Sequence, residues 1–171
     1  MKKTIFITLI SSSLTFSQIQ TPQASPSAKI EQTVGLTKVN VVYSRPAMRG
    51  RVIMGDLVPY GAIWRTGANE ATEIRLNKPI KLGDKIIKAG TYTMYSYPKD
   101  NSSEIIINSA KYVWGAYRYD QSKDVARLEV PVLESTEYLE AFSLAFSGNG
   151  DKAVLHGGWG NVRVEIPITI L

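Results

Sequence analysis

The sequence predicts an all-β protein, an antiparallel β-sandwich of jelly-roll type in a single domain. Two observations support this fold class. From Val34 onward, short runs of alternating polar and apolar residues are separated by Gly, Pro, Asn and Asp, and no convincing helical period exceeds one or two turns. The chain also has 171 residues, 44% of them hydrophobic, which suits one folded domain. A domain of this size buries roughly two thirds of its unfolded surface, so its core needs no cross-links.

The predicted strands follow one another closely and are rich in β-branched and aromatic residues. Gly83-Asp84 suits a two-residue hairpin, and Ser147–Asp151 suits a turn with positive φ. A closing hairpin is expected across Gly157–Asn161. The strand-like runs are Val39–Tyr43, Thr72–Leu76, Ile80–Leu82, Ile86–Ile87, Thr91–Tyr97, Glu104–Ile107, Val125–Val132, Tyr138–Phe146, Ala153–His156 and Val162–Ile168.

The N-terminus has the pattern of a cleaved signal peptide over residues 1–17. Basic Lys2 and Lys3 precede a short apolar stretch, and Thr15–Ser17 offers small side chains for cleavage before Gln18. That stretch is shorter than the roughly 20 residues of a spanning helix, so no transmembrane segment is expected. We expect an exported protein, periplasmic or secreted, with a flexible segment over residues 18–33 and the sandwich over 34–171.

The composition excludes several classes of site. The chain has no cysteine, which rules out disulfides, thiolate metal sites and a cysteine nucleophile. It has one histidine, His156, so sites with several histidine ligands are ruled out as well. Removing Lys2 and Lys3 lowers the net charge from +5 to +3, and the basic residues are scattered among acidic ones. We therefore expect no nucleic-acid partner, no metal and no cofactor.

The segment from Ser44 to Glu70 resists assignment to strands, and a long loop in a compact domain is often functional. A short helix around Arg51–Val58 would occupy part of it. The guanidinium group of arginine binds carboxylate or phosphate, and the indole ring of tryptophan stacks on sugar rings. The alternative is that the arginines pair with nearby carboxylates and that the loop closes one end of the sandwich. The candidate ligand-binding residues are Arg45, Arg51, Trp64, Arg65, Asn69 and Glu70.

A secondary candidate site comprises Trp114, Tyr117 and Arg118, whose alternative role is to anchor a half-buried loop. His156 lacks a nucleophile motif and is interpreted as an ordinary strand residue rather than a catalytic base. A pair of carboxylates could support glycoside hydrolysis, but only their separation in space would decide it. The acidic residues considered are Asp56, Glu70, Glu73, Glu104 and Asp120.

Several motifs together resemble an uncharacterised family of exported bacterial proteins, domain of unknown function 2911. The motifs are V-x-Y-S-R-P (Val41–Pro46), R-G-R-V-I-M-G (Arg49–Gly55), L-V-P-Y-G (Leu57–Gly61), W-R-T-G-A-N-E-A-T (Trp64–Thr72), A-G-T-Y-T (Ala89–Thr93), W-G-A-Y-R-Y (Trp114–Tyr119) and D-V-A-R (Asp124–Arg127). The resemblance runs from about Val39 to the C-terminus and implies export and a single domain. It implies no activity and no catalytic residues.

Three functions follow as hypotheses. The first is a non-catalytic binding module for a glycan or a small anionic ligand. In it, arginines bind the charged groups of the ligand and Trp64 stacks on its ring. The second is a structural domain that interacts with a protein partner in the cell envelope. The third is a carboxylate-dependent hydrolase.

Overall fold

The computed structural model describes residues 21–171, with only the backbone described at Asn149. Nine antiparallel strands form one sheet, which confirms the predicted all-β fold. Within the described range the helical structure is a single 3-10 turn, Gln121–Lys123, and no helix there could cross a membrane. The strands are β1 Ser27–Val34, β2 Thr37–Ser44, β3 Glu73–Leu76, β4 Ile80–Leu82, β5 Lys85–Ile87, β6 Gly90–Pro98, β7 Ser102–Asn108, β8 Asp124–Asn149 and β9 Lys152–Ile170.

The strand order is β1-β2-β3-β6-β7-β8-β9-β4-β5, and the long strand β8 joins two layers. The first part of β8, Asp124–Pro131, pairs with β7, whereas Val132–Asn149 pairs with β9. The hairpin of β4 and β5 adds to the far side of β9. Because β8 belongs to both layers, the inner faces of the two halves of the sheet enclose one core.

Alternation along the strands decides which side chains enter that core. In β2, Val39, Val41 and Tyr43 are buried and pack with residues of the opposite layer, such as Leu155 and Ile168 on β9. Burying each such side chain contributes about 1.5–3 kcal/mol, and most of the core is aliphatic. A second, smaller cluster covers the outer face of β6 and β7, where Tyr95 and Ile106 lie beneath the loops.

The region Gly157–Asn161 does not form the predicted hairpin turn, and that prediction is wrong. Strand β9 continues through it, and both of its halves pair with β8 instead of with each other. Gly160 has φ +59°, and a Cβ on Gly157 would lie 3.0 Å from Val164 Cγ2. The glycines therefore let β9 bend tightly. On the facing strand β8, the pairing register shifts on both sides of Leu139, and these shifts accommodate the bend.

Two further expectations differ from the structure. Residues Ser27–Val34 form β1 in continuous register with β2, so the sheet begins within the segment that was predicted to be flexible. Its pattern of alternate partly buried side chains is weak, because β1 lies at the sheet edge. The range Arg51–Val58 contains turns and a Met54–Val58 bridge instead of a helix. The predicted signal peptide, residues 1–17, lies outside the described residues.

Candidate functional site

A cavity of about 210 Å³ lies between the two layers, close to the turn that joins β6 and β7. One wall comes from β6 and β7, the opposite wall from β8 and β9, and the loop before β3 closes the side. Its inner end is apolar, with Ile105, Leu144 and Ile166. Its outer end is lined by exposed residues, among them Tyr60, Asn101 and Glu134, which connect the cavity to solvent.

Three aromatic rings form one wall of this cavity. Trp64 and Trp159 are stacked, with ring centroids 5.9 Å apart and 16° between their planes. Phe142 meets both edge-on, at 5.1 Å from Trp64 and 6.1 Å from Trp159. The indole Nε1 of Trp64 donates to Gly67 O and that of Trp159 donates to Glu140 O. Both polar tips are thus satisfied inside the protein, and the rings offer the cavity apolar surface.

The position of Trp64 follows from pairing with β6. The backbone N–H of Trp64 donates to Ser96 O at 2.8 Å, and the N–H of Ser96 donates to Trp64 O at 2.9 Å. The short segment thus continues the sheet beyond the end of β3. Trp64 and Thr66 line the cavity, whereas Arg65 approaches Gly115 of the loop before Gln121. Consecutive residues of an extended segment face opposite sides, which separates Arg65 from Trp64.

Two hydroxyl groups supply polar contacts at the cavity wall. Thr66 Oγ1 and Ser96 Oγ are 2.7 Å apart and buried. Thr66 has φ +53°, an unusual backbone conformation for a β-branched residue. It is held there by Thr72, whose Oγ1 donates to Thr66 O at 2.6 Å. Such strain costs about 1–3 kcal/mol and is common at binding sites.

Charged groups stand at the outer end of the cavity. Lys99 Nζ bonds Glu129 Oε1 at 2.9 Å, and this hydrogen bond raises the pKa of Lys99. Asp100 and Glu134 are exposed on the same rim. A ligand would thus pass a polar rim before reaching the apolar interior.

Two of the predicted arginines hold the loop in place. Arg45 Nη2 donates to Ser143 Oγ at 2.9 Å, and its Nε donates to the carbonyl of Phe142. Arg51 donates to the carbonyls of Ala47 and Met48, at 2.7 and 2.8 Å, and so closes its own turn. Neither arginine lines the cavity. These contacts are architectural, but they are made with carbonyl and hydroxyl groups and not with the carboxylates that the alternative expected.

The other predicted loop residues lie on the outer face. Arg65 Nε is buried without a hydrogen-bond partner. Asn69 has φ +57°, and its Nδ2 donates to Ser25 O at 3.2 Å, so it shapes the turn. Glu70 is exposed and forms a backbone bridge with Trp114. The loop thus divides, with Trp64 turned to the cavity and Arg65 and Glu70 turned to the surface.

The structure brings the secondary candidate residues next to this surface. Trp114, Tyr117 and Arg118 are all exposed on the loop before Gln121. A groove of about 420 Å³ runs beside them and is lined by Glu70, Glu73, Arg75 and Tyr112, among others. Two of the carboxylates considered for hydrolysis, Glu70 and Glu73, therefore share one groove. Glu73 Oε1 accepts a hydrogen bond from Arg75 Nε at 2.5 Å.

A family model for proteins of unknown function, DUF2911, matches residues 25–168, which include the cavity and the outer loops. The chain belongs to the DUF2911 family. The resemblance inferred from the sequence motifs is thereby confirmed. Searches of curated proteins and of solved structures found no match.

Sequence reasoning missed two of the aromatic residues in this DUF2911 protein, Phe142 and Trp159. The sequence correctly predicts a strand at Phe142, but its pattern does not distinguish a cavity wall from ordinary core. For Trp159 the sequence predicts a glycine-rich turn. The signal that would have found it is a large aromatic residue set among Gly157, Gly158 and Gly160, small neighbours that leave room for a tight bend.

His156 of the DUF2911 chain lies on β9 outside both the cavity and the groove. Its Nε2 is 2.6 Å from Ser147 Oγ, and its Nδ1 is 3.5 Å from Glu165 Oε1. Hydroxyl, imidazole and carboxylate thus follow one another as in the catalytic triad of a hydrolase. The imidazole and the carboxylate, however, are partly exposed to solvent. Within residues 21–171, no cluster of three or more His, Asp or Glu side chains could hold a metal ion.

Proposed function

We propose that this DUF2911 protein is a non-catalytic binding protein that holds a small, largely apolar ring compound between its two layers. The observation that carries the proposal is the cavity walled by Trp64, Phe142 and Trp159. Ligand sites are typically concave and apolar, with a few placed polar groups that set orientation. The hydroxyl groups of Thr66 and Ser96 are suited to that second role.

The size of the cavity limits the ligand. A dry apolar cavity of about 150 Å³ is sufficient to bind benzene. The cavity here has about 210 Å³, which suits one aromatic ring or two fused rings. Because Trp64 and Trp159 present apolar surface, a flat ligand gains contact with them. A glycan chain is too large and too polar for this space, so the cavity favours a different ligand from the one that the sequence suggested.

The sequence-based hypothesis of a glycan or small anion held by arginines loses two of its three guanidinium groups. Arg45 and Arg51 already donate to groups of the protein. Removing them from those partners would leave carbonyl groups unsatisfied, at a cost of about 1–3 kcal/mol each where they are buried. We retain the proposal that the protein binds a ligand. Of the three arginines, Arg65 on the outer face is the remaining candidate for binding an anion.

The proposal is tested by thermal unfolding and tryptophan fluorescence with indole and naphthalene as probes. A probe at 100 times its Kd adds about 2.7 kcal/mol of stability and raises the unfolding midpoint by several degrees. Val132 lines the cavity, so Val132→Phe should abolish this shift. Val125→Phe is the matched control, because Val125 lies on the same strand and is exposed outside the cavity. No shift with either probe, or an equal shift in Val132→Phe, contradicts the proposal.

We also propose that the protein works outside the cytoplasm, as the basic and apolar pattern of residues 1–17 suggests. Mass spectrometry of the protein recovered from a periplasmic or culture fraction should find a mature chain that begins at Gln18. A chain that retains Met1 and stays in the cytoplasm would refute export.

A further inference from the structure

Arg65 carries a charge for which the described residues provide no counter-ion. Its Nε is buried without a partner, and the ion pairs of residues 21–171 do not include it. A donor N–H that is buried without an acceptor destabilises the folded protein. By contrast, Arg127 on the same outer face bonds both Asp124 and Glu104. The unpaired state of Arg65 therefore points to an anion supplied from outside the chain.

The surroundings of Arg65 define the shape of that site. A Cβ atom on Gly115 would lie 3.0 Å from Arg65 Nη1 and 2.9 Å from two ring carbons of Tyr117. Gly115 also has φ +67°, a conformation that favours glycine. The missing side chain thus leaves a space that the Arg65 guanidinium and the Tyr117 ring border from two sides.

Two aromatic rings on the loop that contains Gly115 are open to solvent. Tyr117 is 85% exposed and Trp114 is 60% exposed. Arg118 adds a second exposed cation on the same loop, and Glu70 joins that loop through its bridge to Trp114. Exposed aromatic faces beside a cation suit an acidic ring that has one apolar face and hydroxyl groups at its edge.

We propose that Arg65, Trp114 and Tyr117 bind a sugar ring that carries a carboxylate, as in a uronic-acid polysaccharide. The carboxylate pairs with the Arg65 guanidinium, and the apolar face of the sugar stacks on the exposed aromatic rings. This site lies on the outer face of β6 and β7 and is separate from the cavity between the layers. It unites the two clusters that the sequence predicted as distinct.

The test is isothermal titration of the protein with a galacturonic acid tetrasaccharide and with its fully methyl-esterified form. The two probes share the same sugar rings and differ at the carboxyl groups, which are charged in the acid and are neutral methyl esters in the other probe. We expect the acid to bind at least about tenfold more tightly than the ester, and its affinity to fall with added salt. Equal affinity for both probes, or no binding of the acid, overturns the proposal.

Variants locate the site. Trp114→Ala and Arg65→Gln should each weaken binding of the acid about tenfold, whereas Tyr138→Ala, an exposed aromatic residue on the other layer, should leave it unchanged. If Arg65→Gln does not fold, Trp114→Ala and Tyr117→Ala decide the question, since both side chains are exposed. Unchanged binding in these two variants overturns the proposal. Val132→Phe should not affect this binding, so the proposal for this site and the proposal for the cavity are tested independently of each other.

Discussion

Trp64 and Trp159 stack face to face, with centroids 5.9 Å apart, although one lies in the loop before β3 and the other at the bend of β9. Phe142 on β8 packs against the edge of this pair. These three rings therefore both stabilise the sandwich and form the cavity wall.

Replacing Phe142 with alanine should strongly destabilise the protein. Its ring contacts Trp64, Trp159 and Tyr43, and its removal leaves a void beside the cavity. We expect a loss of about 3–5 kcal/mol in the free energy of unfolding, measured with urea. Tyr138→Ala, on the same strand but 62% exposed, should cost less than about 1 kcal/mol. Equal losses in the two variants would show that Phe142 is not packed as described.

Two glycines, one near the end of β8 and one in the turn that follows, should differ in how much stability an alanine costs. A Cβ on Gly148 would lie 2.5 Å from Lys152 O, whereas a Cβ on Gly150 would meet nothing within 4 Å. Both residues have positive φ, so each alanine variant costs about 1 kcal/mol from strain alone. Gly148→Ala should cost clearly more than Gly150→Ala, because the backbone must also shift. Thermal unfolding of the two variants measures the difference, and similar midpoints would contradict this turn geometry.

The hydroxyl groups of Thr66 and Ser96 should be energetically coupled. They are 2.7 Å apart and buried, so Thr66→Val and Ser96→Ala each leave one group without its partner. Each single variant should lose about 1–3 kcal/mol of stability. The double variant should lose less than the sum, by about 0.5–1.5 kcal/mol, because no unsatisfied hydroxyl remains. Strict additivity in urea unfolding would exclude the interaction.

Alkaline pH should destabilise the protein through Tyr119. Burial, followed by the hydrogen bond and the charge of Asp124, raises the pKa of Tyr119 from 10.0 to about 12, although Arg127 opposes the shift. The pKa is higher in the folded than in the unfolded state. This contribution to stability is therefore complete below pH 10.0 and is lost as the pH rises through about 12.

The measurement is the phenolate absorbance during alkaline titration, together with urea unfolding across the same pH range. The component that titrates near pH 12 should decrease in Tyr119→Phe and persist in Tyr138→Phe. Burial also raises the pKa of Tyr95, so part of the late absorbance can remain in Tyr119→Phe. If the absorbance of the wild-type protein contains no component that titrates so late, Tyr119 is not buried and bonded in solution as described.

The pattern of residues predicted the strands well where each strand has one buried and one open face. Val39–Tyr43 alternates clearly because its buried residues face a single core. The prediction failed at β1, whose edge position weakens the alternation, and at Gly157–Asn161, where glycines that usually mark a turn instead allow a strand to bend. Local sequence does not distinguish those two uses of glycine, since both need small residues.

The sequence named one of the aromatic residues that line the cavity. Trp64 was chosen for its aromatic ring and does line the cavity, but its neighbour Arg65 faces the outer surface. Residue type indicates what a side chain can bind, whereas the partner it already has depends on distant segments. Arg45 illustrates this, because its acceptors, the Phe142 carbonyl and Ser143 Oγ, lie on β8.

The sequence by itself determined the all-β class, the antiparallel strands, the family and the exclusion of cysteine chemistry. These follow from composition, short-range alternation and motifs, which are local properties of the chain. Only the tertiary structure decided that Trp64 meets Trp159, that Arg45 and Arg51 are already bonded, and that Arg65 lies near Gly115 without a counter-ion among residues 21–171. Those relationships arise from how β8 joins the two layers and how the loops pack on them, and packing between distant segments is not encoded in any local pattern.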